Sequence, residues 1–258
     1  MPCRKNNVLL PSCLPDTGRY SESPLLKEYC PMRYLQGCAV LLLCLIFTGC
    51  ANVQPPVELD QQFWNEKDQV IGVAMTPVTP PKLMLTGNQG ILDLAINTGV
   101  NSKLSEHVST WDLADVNTLP DAIIAKLEAK GYKTKRIEER IDLSKYKETK
   151  FKEGYMERDI SALKATYGID RLLLVAIDST GATRSYYSVV PTSAPIPLVA
   201  GRGILVDVQD SRLLWFKPFV VTQPAQGEWD QPTYSNLSNA FYQAVDSSRQ
   251  VIVTPFSQ

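Results

Sequence analysis

From Gln69 to Met75 the chain reads QVIGVAM, a short apolar run that predicts a buried strand. Just before it, Leu59 to Lys67 is a short amphipathic stretch carrying Phe63 and Trp64. Just after it, TPVTPPKL (76–83) holds three prolines and is expected as loop or extended edge. From Asn88 to Val108 apolar residues fall at Ile91, Leu92, Ala95, Ile96, Val100, Leu104 and Val108. Steps of three and four predict one helix with that face inward. A second helix has Asn117 or Thr118 as cap, Pro120 and Asp121 in its first turn, and Gly131 beyond its end. Its expected inward residues are Ile123, Ile124 and Leu127. Tyr132 to Ile137 reads as a strand, and a charged stretch runs from Glu138 to Lys152.

Asp159 opens another helix, with Ile160, Leu163 and Tyr167 inward and Gly168 ending it. Asp170 to Asp178 (DRLLLVAID) is a continuous apolar run bounded by charges, the pattern of a central strand covered on both faces. Further strands are expected at Arg184–Val190, Gly203–Val208 and Leu213–Val221, with a turn at Asp210-Ser211 between the last two. A helix near Ser235–Val251 closes the chain, with Leu237, Phe241, Ala244, Val245 and Val251 inward. This order predicts a single α/β or α+β domain. A mixed sheet of about five or six strands packs with three or four helices.

The composition is that of a globular protein, 44% hydrophobic and 21% charged, with a formal net charge of −1. No basic surface of the kind nucleic-acid binding requires is expected, so nucleic acid is not a partner. All six cysteines (Cys3, Cys13, Cys30, Cys38, Cys44 and Cys50) fall within the first fifty residues. The 208 residues after Cys50 contain no thiol. A disulfide framework or thiolate zinc site in the body of the protein is thereby excluded.

Residues 39–48 (AVLLLCLIFT) form an uncharged apolar run, too short for a bilayer span, with Arg33 as a positive region before it. Phe47-Thr48-Gly49-Cys50 then resembles the lipobox of bacterial lipoproteins, with Phe47 in place of the usual Leu. The resemblance implies cleavage between Gly49 and Cys50 and acylation of Cys50. Several acyl chains on one residue give stable anchoring where one would not. Met32–Gly49 is then the signal peptide, and the polar residues 1–31 are expected to be a non-native extension. Residues 50–57 form the acylated Cys and a Pro-containing tether, and residues 58–258 the periplasmic domain. Ala51, rather than Asp, follows the Cys, which in this class implies the outer membrane with the domain facing the periplasm. Without residues 1–49 the chain keeps 21 basic and 24 acidic side chains, so charge is not expected to help hold it on anionic lipid.

The order of elements over residues 69–253 resembles that of small periplasmic domains of envelope lipoproteins, those related to the N-terminal domain of TolB-type proteins and to curli-secretion lipoproteins. That resemblance implies a part in an envelope assembly.

Candidate chemistry is sparse. His107, the one histidine, sits near a predicted helix end, where it commonly meets terminal carbonyls. No nucleophile elbow, paired metal histidines or phosphate loop is present, so no catalytic residue, metal or cofactor is assigned. Gly201-Arg202-Gly203 reads as a flexible turn. Asp170, Asp178, Asp207, Glu228 and Asp230 could serve a two-carboxylate cell-wall hydrolase, though carboxylates at strand ends are more often solvated boundaries. The distinctive segments are Arg184-Ser185-Tyr186-Tyr187, PTSAPIP (191–197) and GEWDQPTY (227–234), rich in residue types that dominate interfaces. Arg184, Tyr186, Tyr187, Trp229 and Tyr234 are therefore the candidate interaction residues, with 186, 187, 215 and 229 expected to be at least partly buried. The function expected is a non-enzymatic interaction or assembly module on the outer membrane, whose partner is an envelope protein or another copy of the chain, with a subunit of a secretion or export complex as its sharper form. A small-ligand binder with an apolar pocket near Tyr186 and Trp229 is the remaining alternative.

Overall fold

The computed structural model describes residues 53–257, so Gly49, Cys50, the expected signal peptide and the extension before it lie outside the described part. The strands are β1 (Val70–Met75), β2 (Lys82–Asn88), β3 (Lys133–Arg136), β4 (Arg171–Tyr187), β5 (Val190–Pro191), β6 (Ile196–Asp207) and β7 (Leu213–Thr222). The helices are α1 (Ile91–Val100), α2 (Ser102–Ser109), α3 (Ala114–Asn117), α4 (Leu119–Glu128), α5 (Ala162–Tyr167) and α6 (Ser235–Val253). Among the described residues, no helix is long and apolar enough to cross a membrane.

One mixed sheet of seven strands runs β3-β1-β4-β6-β7, with β2 and β5 also joined to β4. The class is the expected one, a mixed α/β domain. Arg171 to Ile177 is buried throughout, as the apolar run predicted for a strand flanked by β1 and β6. One face of this half packs Leu173 and Val175 against Ile123 and Leu127 of α4 and Phe241 of α6. The other packs Leu172 and Leu174 against Ile160 and Leu163 of the α5 region and Ile204 of β6.

β4 does not stop at Asp178. A register shift between Ile177 and Ser179 absorbs one residue, and the strand runs on to Tyr187, merging two segments expected to be separate. Its first half pairs with β1 and its second with β2, both parallel. The prolines at 77, 80 and 81 explain the interruption between β1 and β2. They donate no ladder hydrogen bond, so the chain leaves the sheet at Thr76 and rejoins it at Lys82. Strand β2, expected as loop or extended edge at its start and helix at its end, is the main element the hydrophobic pattern missed.

Gly201-Arg202-Gly203 is not a flexible turn but the middle of β6. A Cβ at Gly203 would stand 2.2 Å from the Trp215 ring, and one at Gly201 2.3 Å from the Ala176 carbonyl oxygen and 3.0 Å from the Phe219 ring. Gly203 makes room for the indole, and Gly201 for the backbone of β4 and the Phe219 ring. Nor is the tether entirely free. Val57 exchanges two backbone hydrogen bonds with Phe216, and the Gly154 N–H donates to the Gln54 side chain.

Candidate interaction surface

Of the five candidate residues, four converge and one does not. Arg184 lies on β4 with its guanidinium 4.8 Å from the Trp229 ring centre and 5.5 Å from that of Tyr186. Its Nη1 donates to Asn101 Oδ1 at 2.8 Å. Asn101 in turn donates to the Tyr186 hydroxyl at 2.7 Å and to the Asn97 carbonyl at 2.6 Å. Trp229 stacks on Tyr234 with ring centres 6.3 Å apart. Tyr186 is buried, while Arg184, Trp229 and Tyr234 are half-buried. This cluster joins β4 to the α1–α2 junction and to the segment before α6. It holds the fold together at that end. Tyr187, expected to be partly buried, is 65% exposed, because the next residue along a strand points to the opposite face.

The aromatic series continues inward from Tyr234 to His107 (4.9 Å), and Trp111 stacks on Phe241 (4.3 Å). Trp111 Nε1 donates to Ser238 Oγ at 3.1 Å, and the same hydroxyl lies 2.8 Å from His107 Nε2. Ser238 thus bridges the two rings, donating to His107 Nε2 or accepting from it according to the imidazole tautomer. Burial lowers the His107 pKa from 6.5. The folded state therefore resists a proton that the unfolded chain accepts, and the stability His107 contributes above about pH 6.5 is lost as pH falls from there through its lowered folded-state value. We expect the melting temperature to fall between pH 7.5 and pH 5, with His107→Gln removing part of that slope. An unchanged slope in the variant would show that His107 plays no part.

The surface that sequence reasoning missed is α1. The expected inward residues Ile91, Leu92, Ala95, Ile96 and Val100 all face solvent, Ile91 at 93% and Val100 at 75% exposure. Asn97, 1% exposed, is the one buried residue of the helix. Its side chain donates to Gln89 Oε1 (2.8 Å) and to the Ser188 carbonyl (2.9 Å). At about 100° per residue, Asp93, Asn97 and Asn101 form one polar stripe, and that stripe faces the domain. Asp93 accepts the Gly90 N–H at the start of the helix. The amphipathicity is thus inverted: polar groups fasten α1 to the β4–β5 turn and the apolar side is left open. Beside Ser188 at the β4–β5 turn, Tyr187, Val189 and Val190 are exposed as well. The expected single helix breaks at Asn101, and only Leu104 and Val108, in α2, turn inward.

Three of the five candidate carboxylates are engaged within the fold. Asp170 accepts the Val70 N–H and pairs with Lys164, Asp178 pairs with Arg202, and Asp207 accepts the Gln209 N–H. Asp170 and Asp178 stand eight residues apart on either side of the first half of β4, roughly 26 Å for an extended strand. Among the described residues no group of three or more His, Cys, Asp or Glu is placed to hold a metal. Three surface grooves, beside Trp215, beside Pro80 and beside Tyr132, involve neither Tyr186 nor Trp229.

No protein-family model matches the chain, and no curated protein matches it in sequence. Among solved structures it is similar to lipoprotein GNA1162 of Neisseria meningitidis, with 14% identity and a TM-score of 0.28 over 70% of this chain and 96% of that one. It is similar to protein XCC0632 of Xanthomonas campestris, of family DUF330, with 13% identity and a TM-score of 0.32 over 72% and 95%. A PelC dodecamer from Paraburkholderia phytofirmans gives 8% identity and a TM-score of 0.28 over 78% and 95%. At scores near 0.3 none of these likenesses establishes a family for the chain.

Proposed function

We propose that this chain is a bacterial envelope lipoprotein, held in the outer membrane by acylated Cys50, whose periplasmic domain works by docking and not by catalysis. The observation that carries the docking role is the inverted helix α1, an ordered element whose apolar side covers nothing among the described residues. The location rests on the Phe47-Thr48-Gly49-Cys50 sequence. The two fit together, because a tethered domain gains from a second, exposed contact surface.

The test is fractionation and intact mass of the full chain expressed in a Gram-negative host, beside Cys50→Ala. We expect the first in the outer membrane, with the mass of an acylated chain beginning at Cys50, and the variant absent from that fraction. Equal partitioning and unshifted, full-length masses for both would overturn the lipoprotein reading.

A further inference from the structure

We infer that the grooves on either side of Trp64 form one binding site for an acidic oligosaccharide. The inference goes beyond the docking role proposed above and uses no residue of α1. Gln61–Asn65 form a single 3-10 turn, and Trp64 on it borders two grooves. One, of about 620 Å³, lies between this turn, β7 and the end of α6. The other, of about 610 Å³, lies between the same turn and the residues that close α4. Gln61 and Trp64 line both, so the two adjoin at the indole. Each falls in the range of about 300–1,000 Å³ typical of small-molecule sites. A ligand that follows both is elongated, as a short chain of sugar rings is.

The first groove has an apolar floor and a polar rim. Leu59, Trp64 and Val251 are half-buried there, and Trp215 is buried. Around them stand Glu58, Gln61, Lys217, Ser247, Gln250 and Thr254. Among the described residues none of these six side chains makes a hydrogen bond or ion pair, and neither does Trp64 Nε1. The polar groups converge on the groove without satisfying one another. Amides and hydroxyls both donate and accept, as sugar hydroxyls do. The apolar floor suits the C–H face of a sugar ring, whereas a hydrocarbon chain laid there would leave the rim groups without partners.

The charge lining the two grooves is one-sided. Lys67, Lys130 and Lys217 face Glu58 alone. Among the described residues none of the three lysines pairs with a carboxylate. Lys130 Nζ lies 4.9 Å from the Trp64 ring centre, and Lys67 Nζ 5.9 Å from that of Tyr132. The C-terminal end of α4 accounts for a cation at 130, but not for Lys67, nor for Lys217 on β7. From Cys50 onward the chain carries 21 basic and 24 acidic side chains, so this basic groove is set in an acidic domain. Carboxylates on the ligand would meet the lysines in charge-assisted hydrogen bonds. An acidic sugar chain brings charge, hydroxyls and apolar ring faces together, where a phosphate headgroup brings the charge without the rest.

The test is calorimetric titration of the full chain, purified in a detergent without a sugar headgroup. The probes are tetragalacturonate, a hyaluronan tetrasaccharide, cellotetraose as the neutral counterpart and glycerol phosphate as the bare anion. We expect at least one acidic tetrasaccharide to bind with a Kd below about 1 mM, and about tenfold or more tighter than cellotetraose. Lys67→Gln combined with Lys130→Gln should remove that preference. Gln61→Ala combined with Gln250→Ala should weaken binding about tenfold, through the lost rim hydrogen bonds. Trp64 also packs on Phe63 and Tyr132, so these two variants probe the groove while leaving those contacts in place, and circular dichroism checks that both fold. The inference is overturned if neither acidic tetrasaccharide binds at about 10 mM, or if cellotetraose or glycerol phosphate binds as tightly. Wild-type affinity in both folded variants overturns it as well.

Discussion

Gly181→Ala is expected to destabilise the domain by about 3–5 kcal/mol, the sum of backbone strain and a forced clash. Gly181 has φ +128°, a conformation that side-chain-bearing residues rarely adopt. A Cβ there would stand 2.0 Å from the Lys82 carbonyl oxygen and 2.6 Å from its nitrogen. Both atoms are backbone, so no side chain can move aside. The position matters because Gly181 pairs with Lys82 where β2 joins β4 after the proline segment. Losing that contact loosens β2, and with it the α1 helix that follows within three residues. For a domain of this size the melting temperature should drop by about 10 °C or more. Gly99→Ala is the contrast, since its Cβ meets nothing among the described residues and should be neutral or slightly stabilising to the fold. If both substitutions shift the melting temperature equally, the tight pairing at Lys82 is not what Gly181 serves.

How much of this was legible in the sequence depended on whether one face of an element is buried by its own chain. DRLLLVAID could be read as a central strand because seven consecutive buried residues leave a continuous apolar run. The final helix was equally plain, with Leu237, Phe241, Ala244 and Val245 all inward. β2 was not legible, since its burial comes from pairing with the distant half of β4 and its sequence, KLMLTGN, follows three prolines. For α1 the apolar period was read correctly and assigned to the wrong side. Periodicity marks a face as apolar; it does not say whether the fold covers that face. The correcting signal was present in Asp93, Asn97 and Asn101, a polar stripe four residues apart that bonds to the fold. Among the candidate site residues, Arg184 and Trp229 were found by type, but strand alternation separates Tyr186 from Tyr187 and sends only the latter outward.

The Trp215 and Gly203 pair yields a second large effect, with a sign that distinguishes packing from simple loss of apolar area. Trp215 is 2% exposed, lies over Gly203 of the neighbouring strand, and meets Phe256 edge to face at 5.3 Å. Trp215→Ala should cost about 3–5 kcal/mol, the lost transfer energy plus a cavity beneath the last helix. Gly203→Val alone should cost up to about 3 kcal/mol, because its side chain would enter space the indole fills. Together they should not add. Once the indole is gone, the valine occupies part of the vacated volume and suits a strand, so the double variant should be at least about 2 kcal/mol more stable than the sum of the single effects predicts. Urea denaturation of the four proteins measures the coupling directly. Additivity within about 0.5 kcal/mol would mean that the two residues do not share that space. A large coupling would show that the glycine in the middle of β6 exists to seat the tryptophan, and that GRG, which reads as a flexible turn in the sequence, is part of the rigid core on which the α1 face is carried.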